Sequence, residues 1–279
     1  MTTINPETLL STPDLIAVGV QGDDVRRRMH GARTTFVRVF EVHCDAPPPV
    51  RPPDLSAGEF RIVGRPATEA AAIATVRATA TAAAGVPVTG FSLADLQALV
   101  ADSEALAALC SRLHDAGLEA IAATPLDQLD QPATAVRAAR DAGLGVWRLT
   151  VETLPDNARI ATVERARDLQ AAVGGFRAFA PLPRTVSVTE PTTGYDDVKQ
   201  VALARVIVTN IDSIQVDWPI YGPKLAQVAL TVGADDVDGI AANHGVLGTR
   251  RSPIEEIRGN IRAAALEAVE RDGRFRLLP

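Results

Sequence analysis

The sequence predicts a (β/α) TIM-type barrel, a single α/β domain, on three observations. Short runs of β-branched and aromatic residues alternate with longer helical patterns, the signature of β-α units on a parallel sheet. Seven or eight such units follow one another, which favours a closed barrel, although spacing alone leaves an open doubly wound sheet standing. The chain has 279 residues, close to the roughly 250 that one such barrel occupies.

Strands are expected at 35–43, 60–63, 86–89, 119–122, 146–151, 176–179 and 213–217, with a weaker eighth at 237–240. The intervening helices are expected at 68–84, 103–116, 132–142, 158–172, 195–210, 223–232 and 253–268. Residues 1–34 read as a helical N-terminal extension and 35–279 as the barrel. In the extension, Arg26-Arg27-Arg28-Met29-His30 reads as the solvated face of a short helix, so His30 is assigned no chemistry. After the first strand, the prolines between 47 and 53 require a stiff, extended loop. Asp115-Ala116-Gly117 and Asp141-Ala142-Gly143 place glycines where a helix stops in a left-handed conformation, with His114 beside the helix C-terminus. Ser252-Pro253 with Glu255 and Glu256 reads as a capped helix start.

Composition narrows the function. Hydrophobic residues make up 47% of the chain but aromatics only 4%, so Ala, Val and Leu fill the core. A net charge of −6 argues against an extended nucleic-acid surface or an anionic membrane partner. The first fifteen residues lack a basic start followed by an apolar run, and no stretch is long and apolar enough for a membrane span. A soluble cytoplasmic protein is expected. Cys44 and Cys110 are the two cysteines, too few for a disulfide scaffold.

Polar residues on strands carry the functional signal, because both faces of a parallel barrel strand are covered and most positions should be apolar. Glu41 and His43 share one face of the first strand, Arg148, Thr150 and Glu152 one face of the fifth, and Gln215 and Asp217 one face of the seventh. All lie toward the C-terminal strand ends, where such barrels build their sites, so they could form one polar mouth. Glu41, His43, Glu152 and Asp217 are the candidate catalytic groups; strand-end residues facing helices or solvent are the competing reading. His43, Cys44 and Asp45 are potential metal ligands in succession, but strand neighbours point to opposite faces and no metal is expected. His244, in Asn243-His244-Gly245, is a candidate ligand contact from a loop. Nucleophile elbows and phosphate loops are absent, and Gly174-Gly175 and Gly143-x-Gly145 are turns preceding strands.

The C-terminal third is more specific. Asp196-Asp197-Val198-Lys199-Gln200, Asn210-Ile211-Asp212-Ser213-Ile214-Gln215-Val216-Asp217-Trp218, Gly222-Pro223-Lys224-Leu225-Ala226-Gln227 and Gly233-Ala234-Asp235-Asp236-Val237-Asp238-Gly239 resemble the radical-SAM enzymes of menaquinone biosynthesis by the futalosine pathway, aminofutalosine synthase and dehypoxanthine futalosine cyclase. The resemblance is strong from about 165 to 279 and patchy before that. It implies a radical-SAM-like barrel with Gln215, Trp218, Lys224 and Gln227 retained as ligand contacts, Lys224 and Gln227 reading equally as structural residues on a solvent-facing helix. The departure falls at the chemistry. The family carries Cys-x-x-x-Cys-x-x-Cys after the first strand, whose thiolates hold a [4Fe–4S] cluster; here that loop is Cys44-Asp45-Ala46-Pro47-Pro48-Pro49-Val50-Arg51. The diglycine contact to S-adenosylmethionine is reduced to Gly64, and the paired glutamates after the last strand are Ala242-Asn243-His244.

No [4Fe–4S] cluster is therefore expected, and the residues for S-adenosylmethionine are eroded. Three function classes remain. The leading one is a non-catalytic paralogue that binds an active radical-SAM relative or a nucleoside-like ligand. The second is an enzyme repurposed for non-radical chemistry at the mouth, and the third a purely structural subunit.

Overall fold

The computed structural model describes residues 5–185, 193–242 and 254–279. Eight parallel strands close into a barrel: β1 (Arg33–His43), β2 (Glu59–Val63), β3 (Val88–Ser92), β4 (Ala120–Pro125), β5 (Arg148–Val151), β6 (Ala178–Pro183), β7 (Ser213–Asp217) and β8 (Asp236–Ala241). Each pairs with the next, and β8–β1 and β1–β2 pairings complete the circle. The open-sheet alternative is excluded by that closure.

Outside the barrel lie α3 (Glu69–Ala83), α4 (Leu93–Gln97), α5 (Ser103–Asp115), α6 (Pro132–Asp141), α7 (Arg159–Val173), α8 (Gly194–Ile207), α9 (Trp218–Thr231) and α10 (Ile254–Ala263). Their starts follow local chemistry. Thr68 accepts from the amide of Ala71 to cap α3, Asp102 from Ala105 to cap α5, and Thr193 with Asp196 forms a capping box on α8. The short α4 was not expected; Ser92 caps it directly at the end of β3. The helix expected from 223 starts earlier, at Trp218, and bends at Gly222, whose φ is +73° beside Pro223. The expected cap at Ser252-Pro253 lies outside the described residues.

The N-terminal extension is α1 (Pro6–Ser11) and α2 (Leu15–His30), packed on α8. Gly22 lets α2 approach closely, since a Cβ there would sit 2.0 Å from the carbonyl oxygen of Val232, at the end of α9, and 3.2 Å from the Ala202 Cα on α8. His30 corrects the expectation of a solvated helix face. Its Nε2 donates to the Asp212 carbonyl at 2.8 Å, and its side chain is 12% exposed. The proline loop carries neither helix nor strand, and Arg51 ties it down by donating to the Ala83 carbonyl at 2.6 Å.

The largest correction concerns the C-terminus. The helix expected to run to 268 stops at Ala263, and β9 (Glu267–Glu270) follows. β1 is eleven residues long: its upper half, Val39–His43, pairs with β2, and its lower half, Arg33–Phe36, pairs with β9. Residues 271–278 then strap the N-terminal end of the barrel. Gly273 donates to the Gly58 carbonyl at 2.9 Å, and Arg274 grips Glu119 with bonds of 2.6 and 2.7 Å. The strap crosses so close to Gly58 that a Cβ there would meet the Arg271 carbonyl oxygen at 2.8 Å.

Arg271 enters the barrel and completes a charged interior. It clasps Asp236 through two bonds of 2.6 and 2.7 Å, and Asp236 also accepts from Gln215 at 2.6 Å. Arg61 bridges Glu59, at 2.7 and 3.0 Å, to Asp238, at 2.9 and 2.8 Å. Arg148 reaches Asp238 at 3.3 Å and the Ala122 carbonyl at 2.8 Å. Glu59, Asp236 and Asp238 are thus balanced by Arg61, Arg148 and Arg271, all six buried. Burial pushes Asp238 up, but Arg148, Arg61 and Arg271 outweigh it and hold the carboxyl far below the usual carboxylate range. Burial likewise opposes Glu59, and Arg61 and Arg148 bring it below its ordinary value.

Among the described residues no helix is long and apolar enough to cross a membrane. The interior network generates two predictions. Arg271→Met strands a buried carboxylate and is expected to destabilise the fold by about 3–5 kcal/mol, with part of the loss recovered in Arg271→Met/Asp236→Leu; urea unfolding of both variants measures it. Glu59 and Asp238 have folded values below their unfolded ones, so their stabilisation is complete above roughly pH 4 and is lost as the pH falls further. Acid unfolding monitored by circular dichroism is expected to begin below that point. A midpoint that does not move when Asp238 is replaced by Asn would remove the assignment.

Candidate functional site

The mouth of the barrel is built by the C-terminal strand ends and the loops that follow them. β1 delivers Glu41, half-buried, and His43, exposed. The chain turns after His43, where the Ala46 amide donates to the His43 carbonyl at 3.1 Å. Cys44, half-buried, follows, and its amide donates to the Val63 carbonyl at 2.9 Å, against the end of β2. Gly64, with φ of +93°, is exposed beside it; a Cβ there would lie 3.0 Å from the Cys44 sulfur. Burial and the Asp45 charge raise the Cys44 thiol above its usual value. Cys110 lies on α5, wholly buried, and burial pushes its thiol up to about 12.

Across the mouth, three loops are stitched together. Asp127, after β4, accepts from the amides of Glu152 and Thr153 at 2.7 and 2.8 Å and from the Thr153 hydroxyl at 3.0 Å. Burial raises the Asp127 carboxyl, but these donors outweigh it and lower its affinity for a proton. Glu152 in turn accepts from the Thr185 hydroxyl on the loop after β6. Asp127 was not singled out from the sequence; an Asp two residues beyond a strand end, before a helix, was the available signal. Arg65 faces Asp95 at 3.7 Å at the rim between β2 and β3, and burial lifts the Asp95 carboxyl.

Asp217 closes β7. Its carboxylate meets Arg184 at 3.2 Å and accepts from the Ile220 amide at 3.2 Å, capping α9. Burial raises this carboxyl, Arg184 opposes the rise, and the nearby Asp238 charge reinforces it. Tyr221, one turn along, donates to the Pro183 carbonyl.

The remaining predicted residues are placed differently from a single shared mouth. Arg148 and Gln215 lie deeper along their strands, buried and spent on the charged network, while Thr150, also buried, pairs with Pro125 at the end of β4. Trp218 is buried against the core. Lys224 is exposed and Gln227 half-buried on α9, a helix outside the barrel wall, so neither lines the mouth. His244 lies outside the described residues. Glu41, His43, Glu152 and Asp217 are the candidates that the topology leaves at the mouth, joined by Asp95, Asp127 and Arg184. Sequence reading missed Glu59 and Arg61 on β2 and Asp236 and Asp238 on β8. The two-residue alternation that flagged β1, β5 and β7 was present on those strands as well.

Comparison with known proteins bears on this barrel. Residues 177–277 match the family model described as the CofH/MqnC C-terminal region. Aminodeoxyfutalosine synthase from Thermus thermophilus is 34% identical over 141 residues, covering 45% of this chain and 37% of that protein. A 5-amino-6-(D-ribitylamino)uracil–L-tyrosine 4-hydroxyphenyl transferase from Methanococcoides burtonii is 35% identical over 144 residues, covering 45% and 40%. The matches therefore span well under half of these relatives' length. In fold, methylornithine synthase superposes with a TM-score of 0.64 at 13% identity, over 94% of this chain and 92% of that one. The hydrogenase maturase HydG gives 0.65 at 13% identity, over 96% and 73%. Those likenesses speak for the barrel alone. The C-terminal region of the chain, residues 177–277, is thus similar to the CofH/MqnC C-terminal region, and the relatives that share the similarity include enzymes named aminodeoxyfutalosine synthase and cyclic dehypoxanthine futalosine synthase.

Proposed function

We propose that the chain is a cytoplasmic, cluster-less paralogue of the futalosine-pathway enzymes that binds a nucleoside-like ligand or an active relative. One observation carries this reading: the loop after β1 offers a single thiol. A [4Fe–4S] cluster of the family's kind needs three thiolates there. Cys44 supplies one, with its thiol held protonated by burial, and the only other sulfhydryl, Cys110, is wholly buried on α5. The donor set does not fit the cluster, and without it S-adenosylmethionine has no source of the electron that cleaves it. No radical step is assigned.

A second reading is favoured by Asp217, a buried carboxyl at the mouth whose proton affinity burial has raised. Groups of that kind serve acid–base chemistry, which needs neither cluster nor radical. In this reading Glu41, His43 and Glu152 are the accompanying mouth groups.

Anaerobic reconstitution with iron and sulfide, followed by iron and sulfide assays, tests the first point. Substoichiometric iron is expected, and about four irons per chain would overturn the reading. Thermal unfolding with and without aminodeoxyfutalosine tests the second. A ligand present at 100 times its Kd stabilises the native state by about 2.7 kcal/mol, so a raised Tm is expected and an unmoved one at millimolar ligand counts against nucleoside binding.

A further inference from the structure

We propose that Asp217 exchanges a proton with solvent or ligand at the barrel mouth while the neighbouring Asp238 stays ionised. The proposal rests on the acid–base reading of the mouth given above and names the group that performs it. The register of β7 and β8 sets Asp217 directly beside Asp238. Paired strands lie about 4.8 Å apart, and partners in register point to the same face. Two carboxylates so placed, both shielded from water, keep two negative charges only if enough cations reach each of them.

The cations are divided unequally. Asp238 is fully buried and is met by Arg61 at 2.8 and 2.9 Å, by Arg148 at 3.3 Å and by Arg271 at 3.9 Å. Asp217 has Arg184 at 3.2 Å, a side chain 27% exposed and therefore partly hydrated, and the Ile220 amide. Arg61 also acts on Asp217, but its donors are committed to Glu59 and Asp238. On α9, Tyr221 adds no charge, because burial and the nearby Asp197 and Asp217 carboxylates hold its phenol protonated. The first proton to enter the pair therefore goes to Asp217, and burial of its carboxyl acts in the same direction.

Protonation has a consequence for recognition. A neutral Asp217 keeps an O–H to donate and releases its ionic hold on Arg184 at the rim. The mouth then presents a hydroxyl and a guanidinium side by side, which suits a ligand with acceptor oxygens, a carboxylate or a carbonyl. Binding such a group draws one proton from solvent onto Asp217 and makes or breaks no covalent bond in the ligand.

Carboxyl carbon-13 NMR of the full chain tests this, with the Asp217 signal assigned as the one missing from Asp217→Asn. The Asp217 midpoint is expected above the ordinary aspartate value of about 3.9. Arg184→Gln is expected to raise it further, and Asp238→Asn to lower it. A midpoint at or below the ordinary value, or one that ignores both variants, would overturn the proposal. Should Asp238→Asn fail to fold, Arg184→Gln at the rim decides alone. The titration reads Asp217 whether or not iron binds, so its failure beside a blank iron assay would remove the acid–base role and leave the binding role intact.

Discussion

Six buried charged side chains occupy the centre of this barrel, and the rest of the structure is arranged so that their charges cancel. Barrel interiors are ordinarily filled by layers of branched aliphatic residues. Here β2, β5 and β8 send in Glu59, Arg61, Arg148, Asp236 and Asp238, and the count of charges closes only when Arg271 arrives from beyond β9. Desolvating such a set is costly, and good geometry repays the cost only if every member is present. The C-terminal strap is thus part of the core rather than an appendage. Its docking on the lower half of β1, beneath Gly58, holds the sixth charge in place.

The same network shapes the mouth. Asp238 belongs to the interior by its partners and to the mouth by its position beside Asp217. Charge compensation below leaves Asp217 with a partly hydrated guanidinium and one backbone amide for partners, so a mouth carboxyl is tuned by residues of the interior network. Opposite, Asp127 draws the loops after β4, β5 and β6 together through Glu152, Thr153 and Thr185. That half of the rim is stiffened by hydrogen bonds. The β1 side, where Cys44 stands alone, carries the proline loop held by Arg51.

Much of the fold was legible because the physics that makes a barrel is local and repeated. Glycine stops and buried apolar runs placed all eight barrel strands, and the span expected for β7 matched to the residue. The errors were those of long-range context. Glu267 and Ala268 read as the end of a helix, and with Val269 and Glu270 they form a strand because β1 has a free lower edge to pair with. His30 looked solvated because nothing in a run of arginines announces a carbonyl 182 residues away. For the site, alternation marked Arg148, Thr150, Gln215 and Asp217 as interior-facing but did not tell depth along the strand. Arg148 and Gln215 were therefore grouped with a mouth they sit beneath.

The length of β1 has one more consequence. Its eleven residues hold β8 along one edge and divide the other between β2 and β9. A slip of a single position would turn Arg38 and Phe40 inward and throw Val37, Val39 and Glu41 out. It would also misalign three ladders at once. Most barrel strands are fixed by two neighbours; this one is fixed by three, which makes it the reference against which the seam of the cylinder is set.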